Sequence, residues 1–174
     1  MAPLLWALYE SEEMAEIPGD LSAEIVAAES AVAVIAGEPR PIRGAGFRRS
    51  AAQRKEIEMH AMDVARAYFE AEDWSVTLTY KSKPYDFVVE RGAEKRWVEV
   101  KGTTSVGSQV LLTRGEVEHM RSVYPGSFLG VVSGILLTGT REHPIATGGE
   151  LRIIQPWQIE EDSLQPIAYR YDLP

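Results

Sequence analysis

The chain has no cysteine. That excludes disulfides and thiolate-bound zinc or iron–sulfur centres, and it suits a reducing compartment. Long apolar runs are also missing. The opening Met1–Leu8 stretch is apolar but short, has no basic region before it, and runs into Glu10, Glu12 and Glu13. Neither a secretory signal nor a membrane span is expected, and the expected location is cytoplasmic. Histidines number three, His60, His119 and His143, scattered without zinc-binding spacing. The hydroxyl-rich run Gly102–Ser108 lacks a Gly-Lys-Ser/Thr step, so it is no nucleotide-binding P-loop; its competing readings are a flexible turn and a loop that lends backbone N–H groups to a phosphate.

Basic residues are absent from the first 39 positions, which hold eight acids. Residues 40–141 carry sixteen bases against twelve acids, and residues 142–174 two bases against six acids. The net charge of -8 therefore hides a mildly basic middle between acidic ends. Such ends are solvated, or they compete with nucleic acid for the basic section or dock a partner. At 174 residues, 45% hydrophobic and 25% charged, the chain suits one globular domain with a modest extra segment.

Asp20-Leu21-Ser22-Ala23-Glu24 opens a helical pattern that stops near Gly37. A Pro/Gly/Arg linker follows, so residues 1–49 are expected to form an acidic helical segment and linker, and residues 50–174 the main domain. Arg40, Arg43, Arg48, Arg49, Arg54 and Lys55 make a basic arm whose competing readings are phosphate contact and a solvated linker. A helix is expected from Ala51 to Ala71, with Ile57, Ala61, Val64, Ala65 and Tyr68 as its apolar stripe and Met62 and Phe69 on the flank. Glu58 falls inside that arc, where a carboxylate needs a partner, or it lies at the helix's exposed start.

Strand signals cover Trp74–Tyr80, Tyr85–Glu90 and Arg96–Lys101, with Gln109–Leu112 as a candidate fourth. Thr113 and Glu116 match a capping box, read as structural, at the start of a second helix that ends before Pro125. Phe128–Leu137 reads as a strand buried on both faces, and Leu151–Ile154 as one more. The order helix, three strands, helix, strand predicts a mixed sheet covered by helices. Trp74, Trp97 and Trp157 are assigned to packing.

The chemistry concentrates in Tyr85-Asp86-Phe87 and Val98-Glu99-Val100-Lys101-Gly102-Thr103. Alternation along a strand puts Glu99 and Lys101 on one side and Val98 and Val100 on the other. Two carboxylates beside an ammonium suit metal-assisted phosphodiester hydrolysis, the acids for a hard cation and the lysine for a water. The bland alternative is a salt-bridge cluster on a sheet.

With Ile57-Glu58, Ala61-Met62, Leu112-Thr113 and Glu116-Val117, this pattern resembles the PD-(D/E)XK nuclease superfamily. More narrowly, it resembles the protein NO VEIN C-terminal domain, over roughly residues 50–160. Tyr85 stands where the superfamily's name has proline. The resemblance implies a restriction-endonuclease-like α-β-β-β-α-β core with an N-terminal helical extension. It also implies Mg²⁺ or Mn²⁺ held by Asp86, Glu99, the Val100 carbonyl and Glu58, with Lys101 as the catalytic base or charge stabiliser. Thr103 and Gln109, with Arg48 and Arg49, are weaker candidates for nucleic-acid contact.

The resulting expectation is a metal-dependent DNA endonuclease, of a kind that serves in restriction or defence. The competing expectations are a catalytically inactive module that binds nucleic acid or protein, and an assembly domain that dimerises or docks through the acidic N-terminal segment.

Overall fold

A computed structural model describes residues 50–166. The acidic N-terminal segment, the linker and its arginines Arg40, Arg43, Arg48 and Arg49 lie outside the described residues. Helix α1 (Ala51–Ala71) begins at a capping box. The Ser50 side chain accepts the Gln53 N–H, and the Gln53 side chain accepts the Ser50 N–H, so two donors that the helix cannot satisfy find partners. The strands are β1 (Ser75–Leu78), β2 (Phe87–Arg91) and β3 (Glu94–Gly102). Helix α2 (Arg114–Ser122), β4 (Ser127–Gly139) and β5 (Pro144–Ile154) follow.

The strands form one five-stranded mixed sheet in the order β1-β2-β3-β4-β5. Only β3 and β4 are parallel. A parallel pair needs a crossover between its strands, and residues 103–126, which contain α2, supply it. The expected helix–strand order is present, as an α/β fold with a mixed sheet and helices.

The two helices cover opposite faces. Phe87, Val89, Val98, Val100, Phe128 and Val132 pack with Ile57, Ala61, Met62, Ala65 and Phe69 of α1. Their neighbours of opposite parity, Leu129 and Val131, pack with Met120 of α2 and with Trp157. Alternation on β3 and β4 thus gives each helix its own core. The α1 stripe is rotated from its expected centre. Met62 and Phe69 are buried, while Tyr68 is 37% exposed. The aromatic ring of Phe69 stacks on Phe128, which draws that side of the helix onto the sheet.

Two strand expectations need correction. Gln109–Leu112 is not a strand. Val110 and Leu112 pack on the Met120–Trp157 cluster, so their apolar spacing reflects side-chain burial without ladder partners. β5 begins at Pro144, seven residues before the expected start. Gly148 pairs with Ile135, and the register continues to Gly139↔Pro144. Gly134 and Gly149 lie opposite each other in that register, both at positive φ. That backbone conformation favours glycine. Past this point the alternation exchanges faces, and Ile135, Leu137 and Ala146 join the α1 cluster.

The outer edge of β5 meets α1. Glu56 Oε1 accepts the Ala146 N–H at 3.1 Å, and His60 Nε2 lies 2.8 Å from the Gly148 carbonyl. Trp74 and Trp157 are buried and Trp97 packs against the second core, as expected of core aromatics.

Candidate functional site

The site forms where β2 and β3 part. Their last ladder pair is Phe87↔Val98. One step beyond, the Asp86 N–H donates to the Val98 carbonyl at 3.0 Å. Backbone pairing then stops, and the Asp86 side chain replaces it. Asp86 Oδ2 accepts the Val100 N–H at 2.7 Å. The carboxylate is fixed by the need of a strand N–H for an acceptor.

On the α2 side of β3, Glu99 and Lys101 follow Trp97 by strand alternation. Glu99 is 2% exposed. Lys101 Nζ lies 2.6 Å from Glu99 Oε1 and 3.0 Å from Glu116 Oε2. The ammonium is thus held between a strand carboxylate and the first turn of α2. The predicted capping box is present: Thr113 Oγ1 accepts the Glu116 N–H and Glu116 Oε2 accepts the Thr113 N–H.

Burial is the largest influence on the Asp86 carboxyl and raises it to about 6. The Val100 N–H and Lys101 oppose that rise, and Glu116 and Glu58 add to it. Glu99 is raised well above the usual carboxylate range, first by burial, with Lys101 acting against it. Burial alone would lower the Lys101 ammonium, but the Glu99 and Glu116 carboxylates outweigh it, and the group is raised above its ordinary value. A cluster with more acids than bases resists full ionisation in a poorly hydrated place.

Glu58 is exposed, although its direction on the helix lies among the buried residues. The end of β3 explains this. A Cβ on Gly102 would stand 2.8 Å from Ala61 Cβ and 2.9 Å from the Ile57 carbonyl, so the strand finishes against the turn that carries Glu58. The Glu58 charge is felt at Asp86. The structure therefore brings Asp86, Glu99 and Lys101 together, with Glu58 close enough to act electrostatically.

The weaker candidates are placed differently. Thr103 is pinned to β4, its N–H on the Val132 carbonyl and its own carbonyl accepting from Ile135. Its hydroxyl lies 2.9 Å from Ser105 Oγ. Gln109 is exposed in the crossover. Glu116 is the site residue that sequence reasoning assigned to capping alone. The available signal was an acid at the N3 position of the helix that follows Lys101.

Tyr85 stacks on His119 with ring centroids 4.4 Å apart. Burial lowers the His119 imidazole, and its Nε2 has no hydrogen-bond partner among the described residues. A cavity of about 500 Å³, lined in part by Arg121, Tyr124 and Trp157, shares no residue with the acid–lysine cluster. Among the described residues no helix is long and apolar enough to cross a membrane.

Fold and site define an α/β protein whose five-stranded mixed sheet carries a buried acid–lysine cluster where β2 and β3 diverge. The family model described as "Protein NO VEIN, C-terminal" matches residues 57–133, from the first turns of α1 through the first half of β4, and so spans the whole cluster. No curated protein and no solved structure matches the chain.

Proposed function

We propose that the domain is a metal-dependent nuclease on a restriction-endonuclease-like core, hydrolysing DNA phosphodiesters. The observation that carries this reading is the placement of Asp86 against the Val100 N–H, with Glu99 and Lys101 on the adjoining residues of β3. The family match over the same residues supports it. The working location would be cytoplasmic, and the setting restriction or defence.

The donor set suits a hard divalent cation. Burial raises both the Asp86 and the Glu99 carboxyl and Lys101 only partly opposes it, so a cation beside them would offset the cost of their charge. Mg²⁺ and Mn²⁺ take few protein oxygens and fill the rest with water and substrate. Among the described residues no group of three or more His, Cys, Asp or Glu forms a ready metal cage. A site of two carboxylates with the Val100 carbonyl, and Glu58 at its margin, fits that sparser requirement. The cation would supply Lewis-acid polarisation of the phosphate. Asp86 and Glu99 would hold their oxygens in place through the sheet. Lys101 would orient the attacking water or balance charge on the phosphorane.

The test is cleavage of plasmid and single-stranded DNA at low salt with Mg²⁺ or Mn²⁺, with Asp86→Ala and Lys101→Ala in parallel. Cleavage that both substitutions remove is expected. Folded protein inactive across metals and substrates would sink the nuclease.

A second reading is a binding module that keeps the fold and does not cut. It is favoured by the Lys101 ammonium being taken up by Glu99 and Glu116 together. DNA retention by gel shift without turnover, unchanged in Lys101→Ala, would select it.

A further inference from the structure

We infer that Glu116 is a positioning residue for Lys101, set at its post by the helix cap. The inference rests on the nuclease reading for its catalytic consequence, and on geometry alone for the anchoring itself. Glu116 Oε2 receives two donors at once, the Lys101 ammonium at 3.0 Å and the Thr113 N–H at 2.9 Å. The backbone N–H of Glu116 returns to Thr113 Oγ1 at 3.3 Å. A carboxylate on a long side chain ordinarily samples several rotamers. Here the cap selects one of them, and that rotamer faces β3.

The division of labour follows from the elements. Glu99 and Lys101 share one strand face, so the strand sets their mutual distance. It does not set where the flexible end of the lysine points. Glu116 comes from a different element, on the far side of the ammonium, and two acceptors from two directions fix a group that one cannot. Glu99 already has an assignment as a cation ligand, so Glu116 is the partner with no other claim in the site. The neighbouring charges on α2 do not compete for this role. Arg114 pairs with Glu118 at 2.7 Å on the exposed side of the helix.

The position also links the folding of α2 to the chemistry. In the capping box the third helical residue is Glu or Gln with equal propriety. Gln would keep the cap and lose the charge. Thr113→Ala would remove only the bond from the Glu116 N–H to Thr113 Oγ1; the Thr113 N–H that holds the Glu116 carboxylate, and the charge itself, both remain.

The experiment compares wild type, Glu116→Gln and Thr113→Ala. Lys101 is labelled in the metal-free protein with an amine-acylating reagent, its rate measured by mass spectrometry against Lys95 as internal reference. Thermal unfolding and DNA cleavage kinetics are recorded on the same samples. Glu116→Gln is expected to unfold close to the wild-type temperature and to label several-fold faster at Lys101. Its kcat is expected to fall about tenfold or more with KM little changed, a typical loss for a residue that orients another. Thr113→Ala is expected to unfold earlier, with Lys101 labelling and kcat of the folded protein unchanged.

Unchanged Lys101 labelling in Glu116→Gln overturns the inference. So does an undiminished kcat in an active nuclease. If labelling rises while neither wild type nor variant cuts DNA, the anchoring stands and the nuclease reading fails.

Discussion

The Asp86 side chain completes a β-ladder: its Oδ2 accepts the Val100 N–H at 2.7 Å, where the backbone of β2 no longer reaches β3. One carboxylate therefore serves the strand and the site together. Its acidity carries a cost to the fold that depends on pH.

Burial raises the Asp86 carboxyl to about 6, whereas an unfolded chain titrates it near 4. Between those values the unfolded state has lost the proton and the folded state keeps it, so stability falls as pH rises from about 4 to about 6. Asp86→Asn removes that penalty and keeps an amide oxygen for the Val100 N–H. The variant should be more stable than wild type by roughly 1–2 kcal/mol at pH 8, with the gain shrinking towards pH 4. Urea unfolding at both pH values checks this; a variant less stable than wild type at pH 8 contradicts it.

Lys101→Met leaves Glu99 and Glu116 without their shared cation. Breaking a buried ion pair by removing one partner costs roughly 3 kcal/mol. Glu99 is already raised by burial, so protonation relieves the variant as pH falls. The loss should be larger at pH 8 than at pH 5, read from denaturant midpoints. An equal loss at both values would mean that Glu99 is uncharged in the wild-type fold.

Gly102→Val tests the approach of β3 to α1. Even a Cβ at this position would stand 2.8 Å from Ala61 Cβ and 2.9 Å from the Ile57 carbonyl, a backbone atom that cannot rotate away. Overpacking of this kind costs about 1–3 kcal/mol. An unfolding temperature equal to wild type would show that the helix shifts freely.

Much of this architecture is legible in the sequence because it is local. The 51–71 helix follows from apolar spacing, and the Thr113–Glu116 box is a four-residue signal that the structure reproduces. Asp86, Glu99 and Lys101 come together because two adjacent strands and an i, i+2 step place them there. What escaped depends on distant pairing. The first half of β5 is held by register with β4 across two positive-φ glycines, and no local pattern announces that. The rotated α1 stripe depends on which side of the helix Phe128 meets. Glu116 has two partners of which only the cap lies nearby in sequence, so the local pattern carries the cap and not the lysine.

The contacts from Glu56 and His60 to the outer edge of β5 limit how the sheet can grow. These side chains lie one helical turn apart and meet Ala146 and Gly148, two residues apart on the strand. An incoming sixth strand at that stretch would find the Ala146 donor and the Gly148 acceptor already committed, and would have to evict both side chains to dock. Helix α1 thus acts as a selvedge, stopping the fabric of the sheet from being extended at that stretch.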